Sequence, residues 1–459
     1  MKVNRRLAVL SVVALVSLSG CARTGTEEAG GPVAATNPAV ADQFGDLGTV
    51  CGKGSPKSAP AQGVTADTIT LGVFTDLGFT KNPEFIEASE VFASWCNAHG
   101  GIAGRKIELK IHDTNSTEVR QRMREACRDD FALVGGGTGM DGLGVKDRLA
   151  CLLPSFPAQV AQIGSVAADL EISASPTTLP FHDIETGFRR WLVTEGYPES
   201  IGAIGMVDAD SPVIKAFADK AQESFESIGA KIVYRDRYPV AGVSDWTPFA
   251  HAIKEKQVRG LIFNGQPSQL PKLEDALTSI GYRPDWIDAK NNNYRPGFLR
   301  EAGRSIEFQN NVVDLNGVAP FEKADDVPAL RHIQAMFAEY GKSAEITFPQ
   351  LRSMSAWLLF AKSAAGCGDN LTRRCVYDAA LRQTAWTAGG LHAPVDVSDR
   401  EEPIQCFNVE RATATGWVSV ELGTDGQPYR CGIAHYRFTK DYGVPATLAD
   451  VGKSMADLE

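Results

Sequence analysis

The chain has 459 residues, 43% apolar and 22% charged, which supports two or three packed domains rather than a disordered polymer or a long repeat array. Its formal charge of −10, with no basic run suited to a phosphate backbone, argues against a nucleic-acid partner. Nine cysteines with no C-x-x-C pair disfavour zinc ribbons and thioredoxin-type redox chemistry.

The first segment reads as an export signal. Lys2, Arg5 and Arg6 form a basic head, and residues 7–18 are an apolar stretch. That stretch is shorter than the roughly 20 residues needed to span a bilayer. It ends in Leu18-Ser19-Gly20-Cys21, which resembles a bacterial lipobox. The expectation is a signal peptide over 1–20, with diacylglyceryl on Cys21 and the protein at the outer face of the bacterial cytoplasmic membrane or in the periplasm. Two acyl chains, at ~0.8 kcal/mol per buried CH₂, make a stable anchor. Residues 21–63, rich in Ala, Gly, Pro, Thr and Ser, read as a flexible tether.

From residue 64 the pattern alternates. Residues 69–74 form a β-type apolar run, and 83–98 carry helical spacing (Phe85, Ala88, Val91, Phe92, Trp95). A turn over 99–105 leads to a strand at 106–112. A helix at 118–128, a strand at 131–134, a glycine-rich turn at 135–139, a helix at 141–148 and a strand at 152–156 follow. This rhythm predicts βαβ units on a parallel sheet, with ligand chemistry beyond the strands' carboxyl ends. After a proline-bearing stretch at 175–180 the rhythm restarts. Helices are predicted at 185–194, 212–228, 246–256 and 270–280, and strands at 201–207, 231–238, 260–264 and 285–289. Residues 310–318 read as a return strand, three helices follow at 327–340, 349–365 and 371–383, and 405–411 with 416–422 read as a hairpin.

Setting Cys21 aside leaves eight cysteines, an even number that in an exported chain points to disulfides. Cys367 and Cys375 flank a short turn, and Cys406 and Cys431 bracket the hairpin region. Cys51, Cys96, Cys127 and Cys151 fall at the end of the first sheet away from the strands' carboxyl ends, where two bridges are expected with the partners left open.

Leu71 to Phe74, the turn Asn97-Ala98-His99-Gly100-Gly101-Ile102-Ala103-Gly104-Arg105, and Asp113-Thr114 together resemble the opening of type I periplasmic binding proteins, in their branched-chain amino acid and amide-binding branch. Residues 204–210, Gly229, Asp245-Trp246-Thr247 and 260–266 are similar to that family's second lobe. The resemblance implies an α/β fold of two Rossmann-like lobes with parallel central sheets, joined by three hinge crossovers around a ligand cleft. On that plan lobe 1 comprises 64–178 and 319–390, lobe 2 comprises 179–318 and 391–440, and 441–459 is a tail.

Gly137-Thr138-Gly139-Met140-Asp141-Gly142 matches G-x-G-x-x-G, but a dinucleotide site needs an acid about 20 residues on, where Gln159 and Gln162 stand. The loop's N–H groups with the Thr138 hydroxyl can instead hold a ligand carboxylate, and the resemblance places that function at Thr138 and Gly139. Asp76 and Phe79 leave the first strand. Phe79 either covers an apolar ligand moiety or packs on the first helix. Ser155, Phe156 and Ala158 are candidate wall residues. In the second lobe Asp208, Asn264 and Gln266 sit at strand exits, whereas Asp210 or Ser211 before Pro212 reads as a helix cap. Asp208 and Asp288 are the candidates for holding a ligand ammonium. Seven scattered histidines without HExxH predict no metal, and without G-x-S-x-G or a Walker lysine neither catalysis nor a cofactor is expected. The resemblance thus implies a monomeric, lipid-anchored solute-binding protein that delivers a small amino acid, amide or organic acid to an ABC importer permease. A ligand-sensing lipoprotein signalling to a membrane receptor is the alternative.

Overall fold

The computed structural model describes residues 44–77, 83–343, 345–423 and 428–459. The leader 1–20, Cys21, the first part of the tether and Phe79 lie outside them. The first sheet is parallel, in the order β2-β1-β3-β4, from β1 (Thr68–Thr75), β2 (Lys106–Asp113), β3 (Ala132–Val134) and β4 (Ser155–Phe156). Its connecting helices are α1 (Glu84–Ala98), α2 (Val119–Asp129) and α3 (Val145–Ala150). The strand expected from 152 is pared to two residues because Leu152 turns at φ 55°. The helix expected over 141–148 breaks into a 3₁₀ turn, Asp141–Leu143, and α3, as Gly142 and Gly144 weaken helical continuity.

The turn over 97–105 earns its residues structurally. Gly101 sits at φ 79°, and a Cβ there would lie 2.1 Å from the Arg105 carbonyl oxygen. Asn97 ties α1 to β2 by donating to the Ile107 carbonyl (3.0 Å) and accepting its N–H (2.7 Å). Arg105 is fully buried and donates to the carbonyls of Thr65 (2.9 Å), Ser58 (3.2 Å) and Gly368 (2.7 Å), stapling the incoming segment to the lobe.

After β5 (His182–Asp183) and α4 (Thr186–Trp191) comes the second sheet. It contains β6 (Ile204–Ala209), β7 (Ile232–Tyr238), β8 (Gly260–Asn264), β9 (Trp286–Asp288) and β10 (Asn311–Asp314) in the parallel order β7-β6-β8-β9-β10. Between them run α5 (Pro212–Ser227), α6 (Thr247–Glu255), α7 (Leu270–Ser279), α8 (Pro296–Ala302) and α9 (Ser305–Phe308). The chain then supplies α10 (Pro328–Tyr340), α11 (Phe348–Cys367) and α12 (Arg373–Leu381); α10 and α11 pack on α1, and α11 also on β3 and β4. The expected arm over 405–411 splits in two. β11 (Cys406–Phe407) pairs with β14 (Arg430–Cys431), while β12 (Val409–Thr413) and β13 (Gly416–Ser419) extend the second sheet antiparallel beyond β10. Asn408 makes the break. Its N–H donates to Asp314 (3.3 Å) and its side chain accepts from Gly317 N–H (2.9 Å) and donates to the Val318 carbonyl (2.9 Å).

The disulfides are Cys51–Cys96, Cys127–Cys151, Cys367–Cys375 and Cys406–Cys431. The stretches 314–320 and 386–408 that link the two sheets run together, with Val318 bridging His392. His392 Nδ1 faces the Ala393 carbonyl at 2.8 Å, which can only accept, so Nδ1 carries the proton and Nε2 receives the Ser355 hydroxyl (2.8 Å). Trp386 Nε1 in turn donates to Ser355 Oγ (3.1 Å).

The segment after β14 is not a free tail. β15 (Tyr436–Arg437) pairs with β5, and Glu223 on α5 accepts from Tyr436 OH (3.1 Å), Thr439 N–H (2.6 Å) and Tyr442 OH (2.8 Å). A few residues on, Ala446 exchanges backbone hydrogen bonds with Gly164 (2.9 Å) and Asp169 (3.0 Å), Leu448 N–H donates to Asp169 (2.7 Å), and Leu448 and Leu458 are buried in the first lobe's core. The tail therefore straps one lobe to the other.

Two consequences are measurable. Removing 444–459 should cost roughly 3–6 kcal/mol from Leu448 and Leu458 alone, read as a lower urea midpoint. Burial pushes His392 down from 6.5 to about 4. The unfolded chain takes up this proton below pH 6.5 and the folded chain does not, so stability should fall as pH drops from 6.5 to 4, by up to about 1.4 kcal/mol per unit. Comparing urea midpoints at pH 7 and 4.5, the drop should be smaller in His392→Gln than in the parent.

Candidate functional site

In each sheet the strand order reverses beside its first strand, β1 in one and β6 in the other, and a crevice opens there beyond the carboxyl ends. In the first lobe glycines keep it open. A Cβ on Gly136 would sit 2.4 Å from the Phe74 carbonyl oxygen, whereas one on Gly139 would meet nothing within 4 Å among the described residues, so Gly139 faces open space between them. Thr138 is buried, its Oγ1 3.1 Å from that of Thr114, which itself donates to the Thr75 carbonyl at 3.0 Å. That chain commits the Thr138 proton to Thr114. What Thr138 offers outward is a lone pair, an acceptor rather than a donor.

Asp141 fixes the loop by accepting from the N–H groups of Gly142 (2.8 Å), Ala161 (2.8 Å) and Gln162 (2.9 Å). Burial pushes this carboxyl up to about 6 despite those donors. Asp76 is buried and accepts from Ser116 Oγ at 2.8 Å. Ala158 N–H donates to the Gly136 carbonyl (2.8 Å), joining the β4 exit to the glycine loop. Phe156 is wholly buried, edge-to-face with Phe360 at 5.3 Å, in the core behind the crevice. Ser155, Thr138, Gln159, Arg148 and Glu171 help line a cavity of about 50 Å³ within this lobe. It has room for a few water molecules, not a metabolite. Inside, burial pushes Glu171 up to about 8 against the pull of Arg148, and among the described residues its Oε2 has no hydrogen-bond partner.

The second lobe's crevice is occupied by its own side chains. Asn264 Nδ2 donates to Asp208 Oδ1 (2.8 Å) and Arg235 Nε to Asp208 Oδ2 (2.9 Å), so both carboxylate oxygens are engaged. Gln266 N–H donates to Tyr238 OH (3.1 Å), pinning that exit. The next exit carries a charge network that sequence reasoning approached only through Asp288. Lys290, at φ 61°, reaches Asp288 Oδ2 (2.6 Å) and Glu185 Oε2 (3.0 Å), and Arg189 bonds both Glu185 and Asp183. Burial opposes ionisation of Glu185, yet Lys290 and Arg189 outweigh it and hold the carboxyl at about 2. Asp314, facing the same network, is raised well above the usual range by burial and then by the Glu185 charge.

Across the junction lies Arg352, absent from the residues singled out in the sequence. Its signal is a lone arginine in the N-terminal half of a helix apolar on all sides, which must be buried with it. Among the described residues no group of three or more His, Cys, Asp or Glu side chains could hold a metal, and no helix is long and apolar enough to cross a membrane. Lys290→Met should cost about 3–5 kcal/mol in denaturant unfolding, because Asp288 and Glu185 would be left buried without their shared cation.

The profile of the family described as periplasmic binding protein matches residues 68–416. Among solved structures, the chain is similar to a branched-chain amino acid ABC transporter protein from Thermus thermophilus with bound valine, at 14% identity and TM-score 0.64, covering 77% of this chain and 96% of that one. It is likewise similar to a fatty acid ABC transporter substrate-binding protein from Thermomonospora curvata (19% identity, TM-score 0.64, 84% and 97% covered). A leucine-binding protein from Thermotoga maritima shares the fold at 12% identity, with TM-score 0.63 and 77% and 97% covered. No curated protein sequence matches this one. The profile spans most of the chain and agrees with the two switch-point sheets and the linking strands between them: the protein belongs to the periplasmic binding protein family.

Proposed function

We propose that this protein is the solute-binding component of an ABC importer, held by lipid at Cys21 on the outer face of the membrane. It captures an amino acid, amide or organic acid between its lobes and hands it to the permease. The observation that carries this reading is the pair of parallel sheets, each with a switch point, linked by the stretches 314–320 and 386–408. Two bodies on such a link can present an open and a loaded state to a permease. Anchorage at Cys21 keeps captured solute at high local concentration near the membrane complex. Valine, leucine and fatty acids, named for the similar structures, all join a carboxylate to an apolar chain. The open space at Gly139, beside the acceptor face of Thr138, suits a small ligand at the first lobe's edge.

The test is a thermal-shift series over amino acids, primary amides, short and medium-chain organic acids and neutral sugars, followed by uptake of any hit in cells lacking the gene. A ligand at 100-fold excess over Kd should stabilise the fold by ~2.7 kcal/mol, and uptake of that compound should fall in the deletion strain. Unchanged uptake would rule out the importer role.

A further inference from the structure

We infer that Arg352 is the anion anchor of the interlobe site and that the solute therefore carries a carboxylate. This rests on the solute-binding reading above and names its substrate class. Arg352 is 5% exposed, and among the described residues its buried Nε has no hydrogen-bond acceptor. Among the described residues the Phe348 ring lies 5.2 Å from its guanidinium carbon and Glu84 acts on it through charge, with no hydrogen-bonded carboxylate. Burial lowers it to about 10, with Glu84 drawing it back up, so it is cationic at neutral pH. A buried cation without a bonded counter-charge is costly: Arg189 is paired with Asp183 and Glu185 and Lys290 with Asp288 and Glu185, while Arg148 and Lys220 at least donate to backbone carbonyls.

Its position is what makes the missing partner informative. Phe348, one helical turn before Arg352 on α11, lies edge-to-face with Tyr294 of the second lobe (6.2 Å), and the turn Asn291–Asn293 packs on α11. Glu84 opens α1, just beyond the exit of β1. Arg352 thus stands between a strand exit of the first lobe and one of the second. A guanidinium presents planar paired donors matched to a carboxylate, and a solute bound there would supply the absent acceptor. The glycine loop does not duplicate that role through its side chain, since the Thr138 proton is committed to Thr114. Both an amino acid and a simple acyl acid carry the required carboxylate.

The experiment is calorimetric titration of the full-length protein with L-valine, octanoate and the primary amide of each, in the parent, Arg352→Met and Arg352→Lys. The expected result is binding of at least one acid, about 30-fold weaker binding of its amide, and about 30-fold weaker binding of the acid by Arg352→Met. Arg352→Lys keeps the charge without the fork and should lose less, which holds even if the Met variant folds poorly. Valine alone as the binder identifies an amino acid solute, and octanoate alone an acyl acid. Equal binding of acid and amide, unchanged affinity in both variants, or binding of neither acid would overturn the proposal. If neither acid binds but a neutral compound from the thermal-shift series does, the anchor is wrong and the solute-binding reading stands. If nothing in that series binds, both fall.

Discussion

A parallel sheet is covered by helices on both faces, so its interior strands are closed to solvent and only their ends are left for chemistry. Each lobe obeys this. β1 and β3 bury almost every side chain, as do β6 and β8, and polar groups gather where the strands stop. The two edges differ in what they do with those ends. The first lobe spends glycines at 136 and 139 to keep backbone close and space open, while the second fills its crevice with Asp208, Asn264 and Arg235. The division is chemical as well as spatial: a hollow in one lobe and a rigid, self-satisfied surface in the other.

Where the lobes meet, electrostatics takes over from packing. Glu185, Asp288 and Asp314 crowd one small region with Lys290 and Arg189 between them. Burial and then the Glu185 charge push Asp314 upward, while the Asn316 and Asn408 N–H groups it accepts from pull it back down. The result is a junction whose polar atoms set geometry rather than supply net stability, in keeping with the modest worth of buried ion pairs. Lys290 at φ 61° shows how tightly that geometry is imposed, since a side chain rarely sits there unforced.

Much of this was readable in advance because the signals are local. The helical spacing of Phe85, Val91 and Phe92, the glycines of the 97–105 turn and the strand run ending at Phe74 each report on their own neighbourhood. The pairing of Asp208 with Asn264 was not readable, because it joins residues 56 apart that read separately as two ligand contacts. Phe156 shows the same limit: a residue at a strand exit reads as wall, but which way it turns depends on Phe360, far along the chain. The region 291–308 carries no periodicity strong enough to reveal α8 and α9, which take shape against α7. Arg352 was hidden by the apolar helix around it.

The tail adds a topological consequence. Leu448 bonds to Asp169 across 279 positions, and Arg374 N–H donates to the carbonyl of Glu459. The first lobe is thus sewn from the earliest folded residues and the last. As the chain emerges amino end first, that half must wait, incomplete, until the final stretch has followed. Such distant closure slows assembly and prolongs exposure of apolar surface. Disulfides at Cys51–Cys96 and Cys127–Cys151, formed entirely within the early portion, can brace that unfinished half while the thread is still arriving.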